Sequence, residues 1–190
     1  MDVFEAITRR RTIKPEHLSP APLERGWIER VLEAANWAPS HGHTEPWRFI
    51  VFEGAAREAL AGAVLDTMVG DGDPPITETD PRRTSLYAKM LRAPVIIAII
   101  CAPSAGPKIV EQEEIIATGI AVQNLHLAAV SLGLAGSWTS GKKCTHPKMA
   151  RFLDIAPPAQ CLGFFYLGWP AQAAPEGARR PIAEKVSWRT

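Results

Sequence analysis

The chain has no CxxC pair, no GxGxxG or GxxxxGKS/T phosphate loop, no GxSxG elbow and no HExxH helix. Those absences remove the common glycine-loop nucleotide folds, serine hydrolases of the elbow type and the helical zinc proteases. Its three cysteines, Cys101, Cys144 and Cys161, show no metal or redox spacing. Two of them lie in apolar stretches, where cysteine acts as a small hydrophobe, so a reducing compartment is expected. Cys144 follows two lysines that could lower its pKa, but no histidine is placed in sequence to activate it. No apolar run reaches membrane-spanning length, and Asp2 and Glu5 stand where a signal peptide would be basic. A cytoplasmic, soluble protein is the expectation.

Charge of one sign is also lacking. With 21 Lys+Arg against 20 Asp+Glu, no global field is available to hold a polyanion. Against this balance, Arg9, Arg10, Arg11, Thr12 and Lys14 crowd the end of the first predicted helix. Like charges side by side favour a bound anion, and arginine's planar fork suits phosphate oxygens. A solvated helix end, where cations favour the helix dipole, is the alternative.

The 190 residues suit one domain, 1–190, with a substantial core. Asp2 is a predicted cap for a helix with an apolar stripe of Val3, Phe4 and Ile7. A second helix runs from Leu23 and stops before Pro39; Trp47 to Phe52 reads as a strand, and Ala55 to Met68 as a helix. The Gly/Asp/Pro-rich segment 70–81 suits no regular structure and is a candidate lid, and 69–85 fits no recognisable motif. Val95 to Cys101, apolar on both faces, is predicted as a buried central strand. Glu111 to Leu132 is the longest predicted helix and, with apolar residues around its circumference, should be buried. Gly119 within it costs about 1 kcal/mol relative to alanine, which suggests that another backbone approaches there. Gly133 ends it, the short segment 136–141 follows, and a helix near Pro147 and a strand from Cys161 to Leu167 complete an α+β sandwich with a sheet covered on both faces.

Four polar groups fall in irregular segments: the basic cluster, the turn Ser40 to Glu45, Trp138-Thr139-Ser140, and Arg179-Arg180. Two cationic groups suit a phosphate, and small donors suit the edges of a heterocycle. His41, His43 and Glu45 have the alternation of a metal site, which would make a metal-dependent hydrolase, but no remote ligand suggests itself. No nucleophile or acid–base pair stands out, and no catalytic residue is assigned.

The segments Arg9 to Lys14, Trp37 to Phe49, Ala121 to Ala129, Leu132 to Trp138, Leu162 to Pro170 and Arg179-Arg180-Pro181 resemble, in order, the motifs of the nitroreductase family, over nearly the whole chain. Length and the Met-Asp start are most similar to the small YdjA-like branch. The resemblance implies a sandwich with a central mixed, mainly antiparallel sheet flanked by helices, its C-terminal tail exchanged onto the partner subunit of a homodimer. It implies FMN at the interface, NADH or NADPH as donor, and ping-pong reduction of nitroaromatic, quinone or similar electron-poor acceptors. A flavin-binding or flavin-processing protein of the same fold is the alternative.

By the same resemblance Arg10, Thr12 and Lys14 hold FMN, with Arg10 toward the phosphate, Lys14 toward the pyrimidine edge and Arg11 between them. Arg179 matches the C-terminal phosphate-binding cation, with Arg180 beside it. Ser40, His41, His43 and Glu45 belong to the turn that the second subunit lends to the flavin. Trp138, Thr139 and Ser140 lie along its ring. A fixed cation near that ring edge would stabilise the negative charge that reduction places there. Many relatives carry Asn at His43 and Gln at Glu45; a carboxylate only accepts hydrogen bonds, so Glu45 cannot replace every contact of an amide.

Overall fold

A computed structural model describes residues 1–70 and 73–190. Helix α1 (Val3–Arg9) starts where the Asp2 carboxylate accepts from the Glu5 amide at 2.8 Å, as the capping residue predicts. It buries only Ala6. Val3, Phe4 and Ile7, the expected core stripe, are exposed, since the neighbouring helices meet the small residue instead.

Strands β1 (Trp47–Glu53), β2 (Val95–Cys101), β3 (Ala135–Thr139) and β4 (Gln160–Gly168) form a sheet in the order β1-β2-β4-β3. Every pairing is antiparallel. The mixed character expected of the sheet shrinks, within one chain, to a single parallel bridge from Thr12 to Gly136 on the free edge of β3. That bridge stops at Pro15, which has no N–H to continue a ladder. The segment 136–141, left unassigned by its sequence, thus carries most of strand β3.

Successive β2 side chains leave the sheet on opposite faces, which explains why the strand is apolar throughout. Ile96 and Ala98 join one core with Leu60, Val64, Met90, Met149 and Phe164. This side is covered by α3 (Ala56–Asp66), α4 (Pro81–Met90) and α6 (Pro147–Phe152). Ile97 and Ile99 face the other core, formed with Ile28, Val31, Ala121, Leu125 and Phe165 under α2 (Arg25–Asn36) and α5 (Glu111–Ser131).

Three expectations change. Helix α5 is buried along one stripe through Glu114, Ala117, Ala121 and Leu125, whereas Ile116 and Ile120 are exposed, because a two-layer contact hides one face only. A β-carbon on Gly119 would meet nothing within 4 Å, so among the described residues no backbone of another segment approaches it. Helix α4, capped by the Asp80 side chain, was not legible because its few apolar residues follow a proline-rich stretch. Residues 71 and 72 of the candidate lid lie outside the described residues; its remaining positions carry no helix or strand before α4. Among the described residues no helix is long and apolar enough to cross a membrane.

Candidate functional site

The basic cluster sits where α1 ends. Arg9 pairs with Glu5 one helical turn back at 2.8 Å, which leaves it a surface role. Arg10 is the C-cap and is half-buried. Arg11 donates from Nη1 to the carbonyls of Thr8 (2.6 Å) and Arg10 (2.9 Å), and from Nε to the carbonyl of Pro175 (3.0 Å). Arg11 therefore ties the end of α1 to the C-terminal tail. This tail leaves β4, bridges Leu18 through Pro170, and bonds His17 through the Ala171 amide at 3.0 Å.

The tail's path brings Arg179 to the N-terminal cluster. Arg10, Arg11 and Arg179 line one cavity of about 410 Å³ with Thr8, Gln123 and Gly177, and no carboxylate lines it. Guanidinium forks and a carboxamide are a donor set that fits a phosphate dianion. Arg180 is not among the lining residues; its carbonyl accepts from Lys185 Nζ at 2.9 Å. Gln123 and Gly177 were missed in the sequence. Gln123 was visible only as part of a helical motif, and Gly177 as one more glycine of a tail rich in Pro and Ala.

One turn along α5 from Gln123 is His126, buried with its ring edge-on to Phe165 at 5.1 Å. Burial first, and then the charge of Arg10, hold its pKa down to about 4, so it is neutral near pH 7. Its Nε2 has no hydrogen-bond partner among the described residues.

Thr12 and Lys14 flank the buried Ile13, and both are exposed on the opposite side of the extended segment. The Ile13 amide bonds the Gly136 carbonyl at 2.9 Å, so this segment runs along β3 toward Trp138. Trp138 is 39% exposed, Thr139 half-buried and Ser140 exposed. Gly163, with φ +144, lets β4 pass so close that a β-carbon would overlap the Thr139 carbonyl and the Trp138 indole. The sheet edge thus places Thr12, Lys14 and the 138–140 segment together.

The turn 40–45 stands apart from that group. Ser40 Oγ accepts from the Glu45 amide at 3.1 Å, Arg48 Nη1 donates to the Glu45 carbonyl at 2.8 Å, and His41, His43 and Glu45 are exposed. Ser40 and His41 line a hollow beside Ile116 and Ile120, and Glu45 lines another beside Arg48. Neither is the arginine cavity. Among the described residues no three His, Cys, Asp or Glu side chains gather to hold a metal ion, so the metal-dependent alternative finds no ligand set there. Cys144, Cys101 and Cys161 are all buried, which is the setting of a packing residue and not of a reactive thiol.

The chain is similar to known proteins in sequence and in fold. YdjA of Escherichia coli (strain K12), whose name gives it NAD(P)H nitroreductase activity provisionally, is 31% identical over 173 residues, 90% of this chain and 89% of its own. A nitroreductase-like protein from Bacillus cereus superposes with a TM-score of 0.85 at 26% identity, over 100% of this chain and 96% of that one. A provisionally named nitroreductase from Desulfovibrio desulfuricans, solved in complex with FMN, gives 0.73 at 25% identity over 100% and 98%. With residues 7–169 matching the family's pattern from the end of α1 to the end of the sheet, the chain belongs to the Nitroreductase family.

Proposed function

We propose that the chain is a cytoplasmic, one-domain FMN oxidoreductase that takes electrons from NADH or NADPH. It passes them to nitroaromatic, quinone or similar electron-poor acceptors in a ping-pong, two-electron cycle. One observation carries the reading: Arg10 and Arg11 at the end of α1 and Arg179 in the distant tail share a cavity without a carboxylate. FMN when bound supplies the hydride chemistry. The chain's own residues bind and orient it. Arg10 and Arg179 hold the phosphate, with Arg180 as a nearby cation, while Arg11 keeps the tail in place. Thr12 adds a hydroxyl donor, Lys14 sets a positive charge near the ring edge, and the backbone of 138–140 lies along the ring.

The second copy of a homodimer completes the site with Ser40, His41, His43 and Glu45. Support comes from the exposed apolar surface: Phe4 (77%), Ile116 (54%) and Trp37 (79%) lie uncovered on one chain. The end of the tail beyond the arginines, residues 181–190, is exposed with Ile182 and Trp188 uncovered, and suits exchange onto that copy.

Purified protein tests the reading directly. It should be yellow and release FMN on denaturation, and anaerobic NADH or NADPH should bleach it. A colourless protein that takes up no added FMN overturns it. A yellow protein bleached by neither donor points to the flavin-binding or flavin-processing alternative.

A further inference from the structure

One carboxylate is buried at the start of α5, and the site described above makes no use of it. Glu114 is 1% exposed. Its Oε1 accepts from the Thr44 hydroxyl at 2.6 Å, and its Oε2 from the Ser104 backbone amide at 3.1 Å. Three separate segments therefore meet on one side chain: the turn 40–45, the loop that follows β2, and the first turns of α5. A buried carboxylate is tolerated only when its oxygens are bonded, and the amino end of a helix favours the charge further.

The turn that it holds is under backbone strain. Gly42, His43 and Glu45 have φ of 62°, 54° and 46°. For residues with a β-carbon the left-handed region costs about 1–2 kcal/mol each, and such geometry persists only where its surroundings over-determine it. Ser40 closes the turn on itself, and Arg48 grips it from β1. Thr44 is its hydrogen bond to α5, and that bond ends on a charge. The three side chains that radiate from the turn, His41, His43 and Glu45, are exposed.

We propose that Glu114 is a positioning residue: through Thr44 it fixes the strained 40–45 turn so that His41, His43 and Glu45 are presented in one geometry to the flavin of the second subunit. The inference rests on the FMN-dependent function proposed above for the part that concerns the flavin. Glu114 itself touches no ligand. Its effect passes through one hydroxyl, which makes Thr44 the cleaner place to test it.

Hydrogen exchange of the full chain without added flavin reads the turn, and titration with FMN reads its consequence. In Thr44→Val the amides of 40–45, that of Glu45 above all, should exchange about tenfold faster, and FMN should bind about tenfold more weakly, as the loss of a hydrogen bond to a charged group implies. Thr44→Ser, which keeps the hydroxyl, should restore both. A merely structural bond would lower the melting temperature without this rescue pattern in affinity. Glu114→Gln should follow Thr44→Val; if that variant does not fold, the two threonine variants decide alone. Unchanged exchange in Thr44→Val overturns the proposal. Faster exchange with unchanged FMN affinity overturns its flavin part while leaving the proposed function standing. Wild-type protein that binds no FMN sinks the proposed function and the flavin part together, and the exchange rates still decide whether Glu114 holds the turn.

Discussion

Gly177 lies flat against the guanidinium of Arg11, so close that a β-carbon at Gly177 would overlap Cζ and Nη2. The same guanidinium holds the Pro175 carbonyl, so the tail is gripped four residues before Arg179, and a side chain at 177 would have to displace that guanidinium. Gly177→Val should push Arg11 off the tail and let Arg179 drift from the cavity. FMN retention should fall about tenfold, roughly the worth of one charge-assisted hydrogen bond, while the melting temperature stays near that of the wild type because the tail covers no core. Isothermal titration with FMN and a thermal melt check both halves.

In the proposed site Arg10 and Arg179 act on the same phosphate, and Lys14 does not. The double variant Arg10→Ala/Arg179→Ala should lose FMN on dialysis, with affinity lower by about 100-fold or more from two lost ionic hydrogen bonds. Lys14→Ala should keep the colour and mainly slow reduction by the nicotinamide donor in stopped flow. A double variant that stays fully yellow after dialysis removes the phosphate assignment.

Gly119 and Ile120 face outward on α5 with nothing from their own chain against the glycine. In a lone chain Gly119→Leu would stabilise the helix by up to about 1 kcal/mol through propensity. With a second copy packed there, the added side chain prevents close approach. Light scattering should show the wild type as a dimer and Gly119→Leu as a monomer; a dimeric variant with a raised melting temperature would place the interface elsewhere.

His126 gives the fold an acid sensitivity. Its folded pKa of about 4 lies below the unfolded value of 6.5 because burial and Arg10 both oppose the proton. Above pH 6.5 both states are neutral and nothing is lost. As pH falls from 6.5 toward 4 the unfolded chain takes the proton first, and stability declines by on the order of 2 kcal/mol by pH 4.5. His126→Leu should remove that decline, so the gap between variant and wild type in urea unfolding should widen in favour of the variant between pH 7 and pH 4.5.

Much of the fold was legible because local chemistry leaves strong traces. The Asp2 cap, the two-faced apolar run of β2 and the glycine after α5 each follow from a rule that acts within a few residues. The misreadings share a cause. Val3, Phe4, Ile7, Ile116 and Ile120 are apolar, and periodicity cannot distinguish a face that meets its own core from one left for another surface. At the candidate site the residue types were legible in Arg10 and Arg179, but the split between a pair open to the cavity and an Arg11 that grips the tail was not. Arg11 looks the same as its neighbours until the path of residues 170–177 is known.

The sequence by itself determined most of the helices and strands, α4 and β3 excepted, the lack of any one-signed field, and the ordered motifs that mark the family, since each depends on neighbours along the chain or on side-chain chemistry. Only the tertiary structure decided that the two ends of the chain meet in one cavity, that Glu114 ties the 40–45 turn to α5, and that this turn stands away from the arginines of its own chain. Those are relations between segments far apart in sequence, set by how two helical layers close on a four-stranded sheet, and no local rule carries them.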